Sequence, residues 1–239
     1  HSFSQKFFTE KFERENIRAE YLNFEIEDIL QIREVLLFNQ RLRGLNVTIP
    51  YKEKVLPFLD EISPEAAKIG AVNTIKVERR ENDMYFYRLI GYNTDYVGFK
   101  ESITPLLRPE IHTKALILGT GGASKAVAQA LKDLDIEWRY VSRSSGENRF
   151  TYNELSLAIL SEYTVIVNAS PVGTFPDVDE CPAIPYKFLT PKHILYDLVY
   201  NPAETLFLKK GKAQGALVKN GKEMLELQAL AAWEIWNKE

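Results

Sequence analysis

Residues 114–131, KALILGTGGASKAVAQAL, constrain the fold more than any other stretch of the chain. A short apolar run ends at Gly119, and Gly119-Thr120-Gly121-Gly122-Ala123-Ser124 then opens a segment of helical spacing. Gly119 permits a tight turn, and Gly121 lets backbone approach a pyrophosphate. The helix start at Gly122 and Ala123 offers free N–H groups and the positive end of a helix dipole. Such a turn also joins strand to helix without any ligand, so the context decides. WRYVSRS reads as a second strand, TYNELSLAIL as a helix, TVIVNAS and HILYDLVY as strands, ETLFLKKGKAQG as a helix and ALV as a short strand. ALIL, TVIV and HILYDLV are apolar on both faces, the mark of parallel strands covered on both sides. These features predict a Rossmann-like nucleotide-binding domain over about residues 98–221.

The end of the second strand bears on which nucleotide. A site for a free ribose 2′-hydroxyl usually places Asp or Glu there. This chain has Val141-Ser142-Arg143-Ser144-Ser145, a cation among hydroxyls. Arg143 suits a 2′-phosphate, which it can pair in bidentate fashion, so NADP is favoured over NAD. A surface arginine at a strand end is the plainer reading.

The first part of the chain alternates helix and strand. Phe3, Phe7, Phe8 and Phe12 share helical spacing, with Ser4 as a cap ahead of Phe7. Residues 19–25 read as a strand, 27–41 as an amphipathic helix and NVTI (46–49) as a strand. A short helix follows Pro50, and another near 63–69 starts at Ser63-Pro64. Strands at 72–79 and 85–91 join across the polar turn Glu81-Asn82-Asp83, and a helix runs from Thr94 to Leu107. A last helix over 222–237 is expected to return to this first domain, giving a substrate-binding domain of 1–97 plus 222–239 beside 98–221. The fold class is therefore α/β with two domains.

In NVTIPYKE, Asn46 and Thr48 alternate toward one face, Pro50 stops the ladder and Lys52 follows. Alone, this reads as a strand end followed by a solvated helix start. Asn73 and Thr74 in GAVNT and Asn93 and Asp95 in GYNTD repeat the theme, although Asn93-Thr94-Asp95 could simply cap a helix. Polar groups at three strand ends suit a small polyhydroxylated ligand.

A net charge of −3 gives no reason to expect nucleic acid or an anionic membrane as partner. The single cysteine, Cys181, rules out an internal disulfide and fits a reducing cytoplasm. No apolar run reaches membrane-spanning length and no signal peptide is evident. His1, His112 and His193 show no metal-ligand spacing, so no metal is expected. Oligomeric state is not readable, and the abrupt start at His1 points to preceding residues.

NVTIPYKE, GAVNT, GYNTD followed by Gly98, LGTGGAS, VNASPVG, YNPAET and EMLELQA run in the order found in the shikimate dehydrogenase family, from residue 2 to residue 228. The resemblance implies reversible, NADPH-dependent reduction of 3-dehydroshikimate to shikimate, in aromatic amino acid biosynthesis. It implies Lys52 as the acid–base residue with Asp95 as its partner. Ser2 and Ser4 would hold the substrate carboxylate, with Tyr200 assisting, and Asn46, Thr48, Asn73, Asp95 and Gln228 would face the ring. On the cofactor side it points to Gly119, Gly121, Gly122, Ala123, Ser142, Arg143, Ser144, Asn168 and Ser170, with Leu198 and Gly221 near the nicotinamide. Desolvation would lower the Lys52 pKa and the Asp95 carboxylate would raise it, and the sequence leaves the balance open. Three departures stand out: Thr174 where Met is common, Ser142-Arg143-Ser144 in place of Asn-Arg-Thr, and Glu223 where a glycine is usual. A quinate dehydrogenase and a non-catalytic NADP- or shikimate-binding regulator are the alternatives.

Overall fold

Four phenylalanines at helical spacing bury best on one helix, and the computed structural model places them on α1 (Phe3–Arg14). It describes residues 3–80 and 83–238. Ser4 falls inside the first turn of α1 and is not the cap expected of it. The chain divides into two compact units, one of Asp95–Gln228 and one made of the chain up to Thr94 together with the residues from Ala229 onward.

In the first unit, α2 (Ile32–Phe38) is preceded by a 3-10 turn over Ile29–Gln31, so the helix expected over 27–41 is two shorter pieces. Asp28 caps that turn reciprocally with Gln31. Residues 19–25, expected as a strand, form none. Tyr21 and Phe24 are half-buried, but Leu22 and Asn23 between them are both exposed, so burial does not follow a strand's period of two. Strand β1 (Gly44–Asn46) takes only Asn46 from NVTI, and β2 (Glu61–Ile62) precedes α3 (Pro64–Ile69). The Ser63 hydroxyl accepts from the Ala66 N–H at 3.2 Å to start α3, and Gly70 ends it at φ 71°. The short helix expected after Pro50 is instead a run of turns leading to a 3-10 turn at Leu56–Phe58. The Lys52 carbonyl accepts from the Val72 N–H at 2.8 Å, and Leu56 N–H turns to Glu53 at 3.2 Å, so the α-helical bond pattern breaks there.

Strands β3 (Thr74–Arg80) and β4 (Asp83–Tyr92) complete a sheet of order β1-β3-β4-β2, with β2 parallel to β4 and the other pairs antiparallel. Residues 81 and 82 of the expected turn lie outside the described residues. Helix α4 (Thr94–Ile103) stops short of the expected Leu107, giving way to a 3-10 turn that carries Pro105.

The second unit is a six-stranded, all-parallel sheet. Its strands are β5 (Lys114–Leu118), β6 (Glu137–Ser142), β7 (Arg149–Thr151), β8 (Val165–Asn168), β9 (Ile194–Asp197) and β10 (Leu217–Lys219), in the order β10-β9-β8-β5-β6-β7. Its helices are α5 (Gly122–Lys132), α6 (Leu157–Glu162), α7 (Leu206–Ala213) and the start of α8 (Lys222–Asn237), a helix with the expected bounds. Ala115, Ile117, Val165 and Val167 bury with Phe99, Val127 and Leu131, whereas Leu116, Leu118, Ile166 and Leu195 bury with Leu160 and Phe207. Alternate residues thus enter cores on opposite faces, which is why the strands read as continuously apolar. The helix expected over 151–160 begins instead as β7 and a 3-10 turn; α6 starts only after Ser156, whose hydroxyl accepts from the Ile159 N–H.

From Ala229 onward α8 belongs to the first unit, and its residues up to Gln228 to the second. Phe8 and Phe12 are buried with Ala229, Trp233 and Trp236, and the Trp236 indole N–H donates to the Ile75 carbonyl at 3.0 Å. In the second unit, α4 and the first turns of α8 meet at Gly98, where a Cβ would lie 2.4 Å from the Met224 carbonyl oxygen. Gly98→Ala therefore forces backbone apart and is expected to cost about 1–3 kcal/mol in denaturant unfolding; an unchanged midpoint would contradict this packing.

Candidate active site

Pairing register brings the polar strand ends of the first unit to one place. Asn46 pairs with Thr74, and Thr74 with Tyr92, so the residues around 46, 73 and 93 are neighbours at one end of the sheet. Asn73, Thr74, Asn93 and Thr94 are buried. The Asn73 side-chain oxygen accepts from the Thr94 N–H at 2.7 Å, the Thr94 hydroxyl at 3.2 Å and the Thr74 hydroxyl at 3.1 Å. That oxygen is committed to the frame, and any ligand contact from Asn73 falls to its amide N–H₂. Asn93 donates to the Ala71 carbonyl at 2.9 Å.

Asn46 is held from both sides. Its Nδ2 donates to the Thr74 hydroxyl at 3.3 Å and the Asn73 carbonyl at 3.4 Å, and its Oδ1 accepts from the Tyr21 hydroxyl at 2.9 Å. Tyr21 also hydrogen-bonds Ser4, and burial pushes its phenol above the ordinary value, which keeps it a donor at neutral pH. Sequence reasoning missed Tyr21: nothing in AEYLNFE distinguishes a tyrosine that bridges two polar residues from one that merely packs. Its ring stacks on Phe8 at 5.0 Å. Thr48 follows Asn46 on the loop, its carbonyl accepting from the Tyr51 N–H at 2.8 Å, and Lys52 is half-buried with its backbone tied to Val72. Ser2 lies outside the described residues.

Asp95 is 8% exposed in the first turn of α4, where a helix N-terminus favours a carboxylate. Gln228, on α8, is buried and donates to the Leu225 carbonyl at 2.9 Å; Tyr200, on the loop after β9, is 40% exposed.

In the second unit, the strand order reverses between the parallel neighbours β5 and β8, and the crevice beyond the carboxyl ends of such strands is where open α/β sheets take ligands. Gly119 leaves β5 at φ 101°, a conformation that needs glycine, and lies against Ser170. Gly121 precedes α5 without a side-chain cap, and a Cβ built on it would meet nothing within 4 Å. Open space beside the uncapped N–H groups of Gly122 and Ala123 fits a pyrophosphate. Beyond β6, the Ser142 hydroxyl donates to the Ser144 carbonyl at 2.6 Å, shaping the turn on which Arg143 stands exposed. An exposed guanidinium there fits a 2′-phosphate.

Leu198 and Gly221 are brought together: a Cβ on Gly221 would fall 2.1 Å from the Leu198 carbonyl oxygen, and the Gly221 N–H donates to the Val199 carbonyl at 3.1 Å. Glu223, the unexpected residue here, forms an ion pair with Lys219, which also donates to the Ser102 carbonyl at 2.7 Å. The Thr174 N–H donates to the Pro171 carbonyl at 3.1 Å in the loop after β8.

Removing the Asn73 oxygen would strand the buried Thr94 N–H, whereas the Thr74 and Thr94 hydroxyls keep each other at 3.0 Å. Asn73→Ala is expected to cost about 1–3 kcal/mol for the group left unpaired, read by denaturant unfolding. Asn73→Asp keeps the acceptor and is expected to lose much less; equal losses would contradict the frame.

Residues 1–75 match the family described as shikimate dehydrogenase substrate binding domain. Over 99% of its length the chain is 40% identical to the NADP(+) shikimate dehydrogenase of Carboxydothermus hydrogenoformans, covering 87% of that protein. Among solved structures it is similar to a chorismate mutase/shikimate 5-dehydrogenase fusion protein from Clostridium acetobutylicum, with a TM-score of 0.84 and 37% identity over 99% of this chain and 87% of that one. It is also similar to the Thermus thermophilus shikimate 5-dehydrogenase in complex with NADP(H) and shikimate, with a TM-score of 0.81 and 33% identity over 99% of this chain and 89% of that one. At this identity and coverage, the chain belongs to the shikimate dehydrogenase family.

Proposed function

We propose that this chain is an NADP-dependent shikimate dehydrogenase that interconverts shikimate and 3-dehydroshikimate. The observation that carries this reading is the convergence of polar strand ends around Asn73, in a chain related over its whole length to enzymes of that name. Amide and hydroxyl groups held in a buried frame suit a ring that carries several hydroxyls, because a site built for hydroxyls rejects analogues lacking them. Asn73 offers its amide N–H₂, and Thr48 and Gln228 further polar contacts. Ser4 and Tyr200 reach the carboxylate.

NADPH, when bound, supplies the reducing equivalent. The uncapped start of α5 at Gly122 and Ala123 would hold its pyrophosphate, Ser142, Arg143 and Ser144 its 2′-phosphate, and Leu198 and Gly221 its nicotinamide. As the substrate carbonyl is reduced, its oxygen gains negative charge. The Lys52 ammonium stabilises that charge and gives it a proton; in the oxidative direction Lys52 takes the proton back. Asp95 orients and balances Lys52, so the two work as one acid–base pair. The reducing compartment implied by a lone cysteine makes the cytoplasm the place of action.

The test is NADPH formation from shikimate and NADP, run beside quinate and beside NAD. Lys52→Ala is expected to lose about 10²–10⁴-fold in kcat with its fold retained. Arg143→Ala is expected to raise KM for NADP by about tenfold or more, the worth of a charged hydrogen bond, with little change for NAD. Turnover that survives Lys52→Ala, or a folded protein inert on every pair, would contradict the proposal.

A further inference from the structure

A carboxylate outside the residues assigned above lies at the centre of the nucleotide side. Register places Leu118, Asn168 and Asp197 level with one another on β5, β8 and β9. Gly119, Ala169 and Leu198 therefore leave three adjacent strands at one height, at the crevice where the sheet order reverses. Asp197 is wholly buried there, as are Asn168 and Thr205.

Both oxygens of Asp197 are engaged. One accepts from the Asn168 Nδ2 at 3.0 Å and the Val199 N–H at 3.0 Å; the other accepts from the Thr205 hydroxyl at 2.6 Å. Each bond fixes something a nucleotide would meet. Orienting Asn168 turns its Oδ1 to accept from the Ser170 N–H at 3.1 Å and the Ser170 hydroxyl at 2.6 Å. Ser170 is the residue against which Gly119 packs. Holding Val199 sets the peptide that follows Leu198, and the Val199 carbonyl receives the Gly221 N–H. Thr205 caps α7 and closes the far end of the loop that carries Tyr200.

We infer that Asp197 is the positioning residue of the nucleotide site, holding the loops after β8 and β9 in the single arrangement that NADP binds. Burial pushes its carboxyl up to about 6, against the three donors that lower it, so the group is ionised at the slightly alkaline pH of a dehydrogenase assay. Its hydrogen bonds are then charge-assisted, the kind that hold a geometry most firmly. A neutral side chain of the same shape keeps an oxygen for Asn168 and Val199 and loses only part of that grip. A short apolar one loses all of it.

The inference rests on the NADP-binding reading above, and the experiment separates the two. NADP affinity is measured by calorimetry on the full chain, without turnover, for the wild type and for Asp197→Asn, Asp197→Ala and Thr205→Val. KM for NADP, KM for shikimate and kcat are then measured for each. Wild type that fails to bind NADP overturns the function reading itself. If it binds, Asp197→Ala is expected to weaken NADP at least tenfold, Asp197→Asn to restore most of that loss, and Thr205→Val to weaken it a few-fold. KM for shikimate is expected to change clearly less than NADP affinity, because Tyr200 is the one assigned substrate residue on these loops. Should Asp197→Ala fail to fold, Thr205→Val still decides, because it leaves the Asn168 and Val199 bonds in place. NADP affinity unchanged in the folded variants, or NADP and shikimate affected alike, would reduce Asp197 to a structural residue and overturn the inference.

Discussion

A sheet strand leaves backbone N–H groups without ladder partners where it ends, and burial of that end forbids water from taking them. In both units a short amide or carboxylate side chain takes the role. Asn73 receives the Thr94 N–H beyond β4, Asn168 receives the Ser170 N–H beyond β8, and Asp197 receives the Val199 N–H beyond β9. Satisfying these groups locks the loops that follow, and those loops carry the residues assigned to substrate and nucleotide. The same side chains that make the strand ends stable therefore make them specific. A hydrophobic substitution at any of them would remove stability and ligand geometry together.

Much of this was legible in the chain itself, and for identifiable reasons. LILGTGG announces its strand, turn and helix because Gly119 must adopt a positive φ that few other residues tolerate. The two-faced apolar strands of the second unit follow from alternate residues entering two cores, and α8 has the bounds its periodicity predicts. The failures are equally physical. AEYLNFE mixes apolar and polar residues, but Tyr21 and Phe24, which turn inward, stand three residues apart, and the segment finds no partner ladder. The stretch after Pro50 has helical composition, but Val72 reaches across to the Lys52 carbonyl and breaks the bond pattern. There a tertiary hydrogen bond overrode local propensity.

The polar partners were harder to see than the ligand-facing candidates. Tyr21 and Asp197 touch the candidate residues from behind, and their positions in sequence carry no spacing relative to them. Asp197 sits in the middle of HILYDLVY, where a lone charge among apolar residues is itself a signal: a buried carboxylate must be matched by donors. Glu223 shows the converse. Its departure from the family's usual glycine is accounted for by an ion pair with Lys219, whose ammonium also reaches the α4 backbone.

The central claim is that the polar frame around Asn73 and the glycine turn at Gly119 serve one reaction on one substrate. The most direct measurement is stoichiometry: 3-dehydroshikimate and NADPH incubated with the full chain, with shikimate quantified by chromatography against NADPH consumed. The account predicts one shikimate formed for each NADPH lost. NADPH consumption without shikimate, or no consumption by a folded protein that binds both ligands, would contradict it.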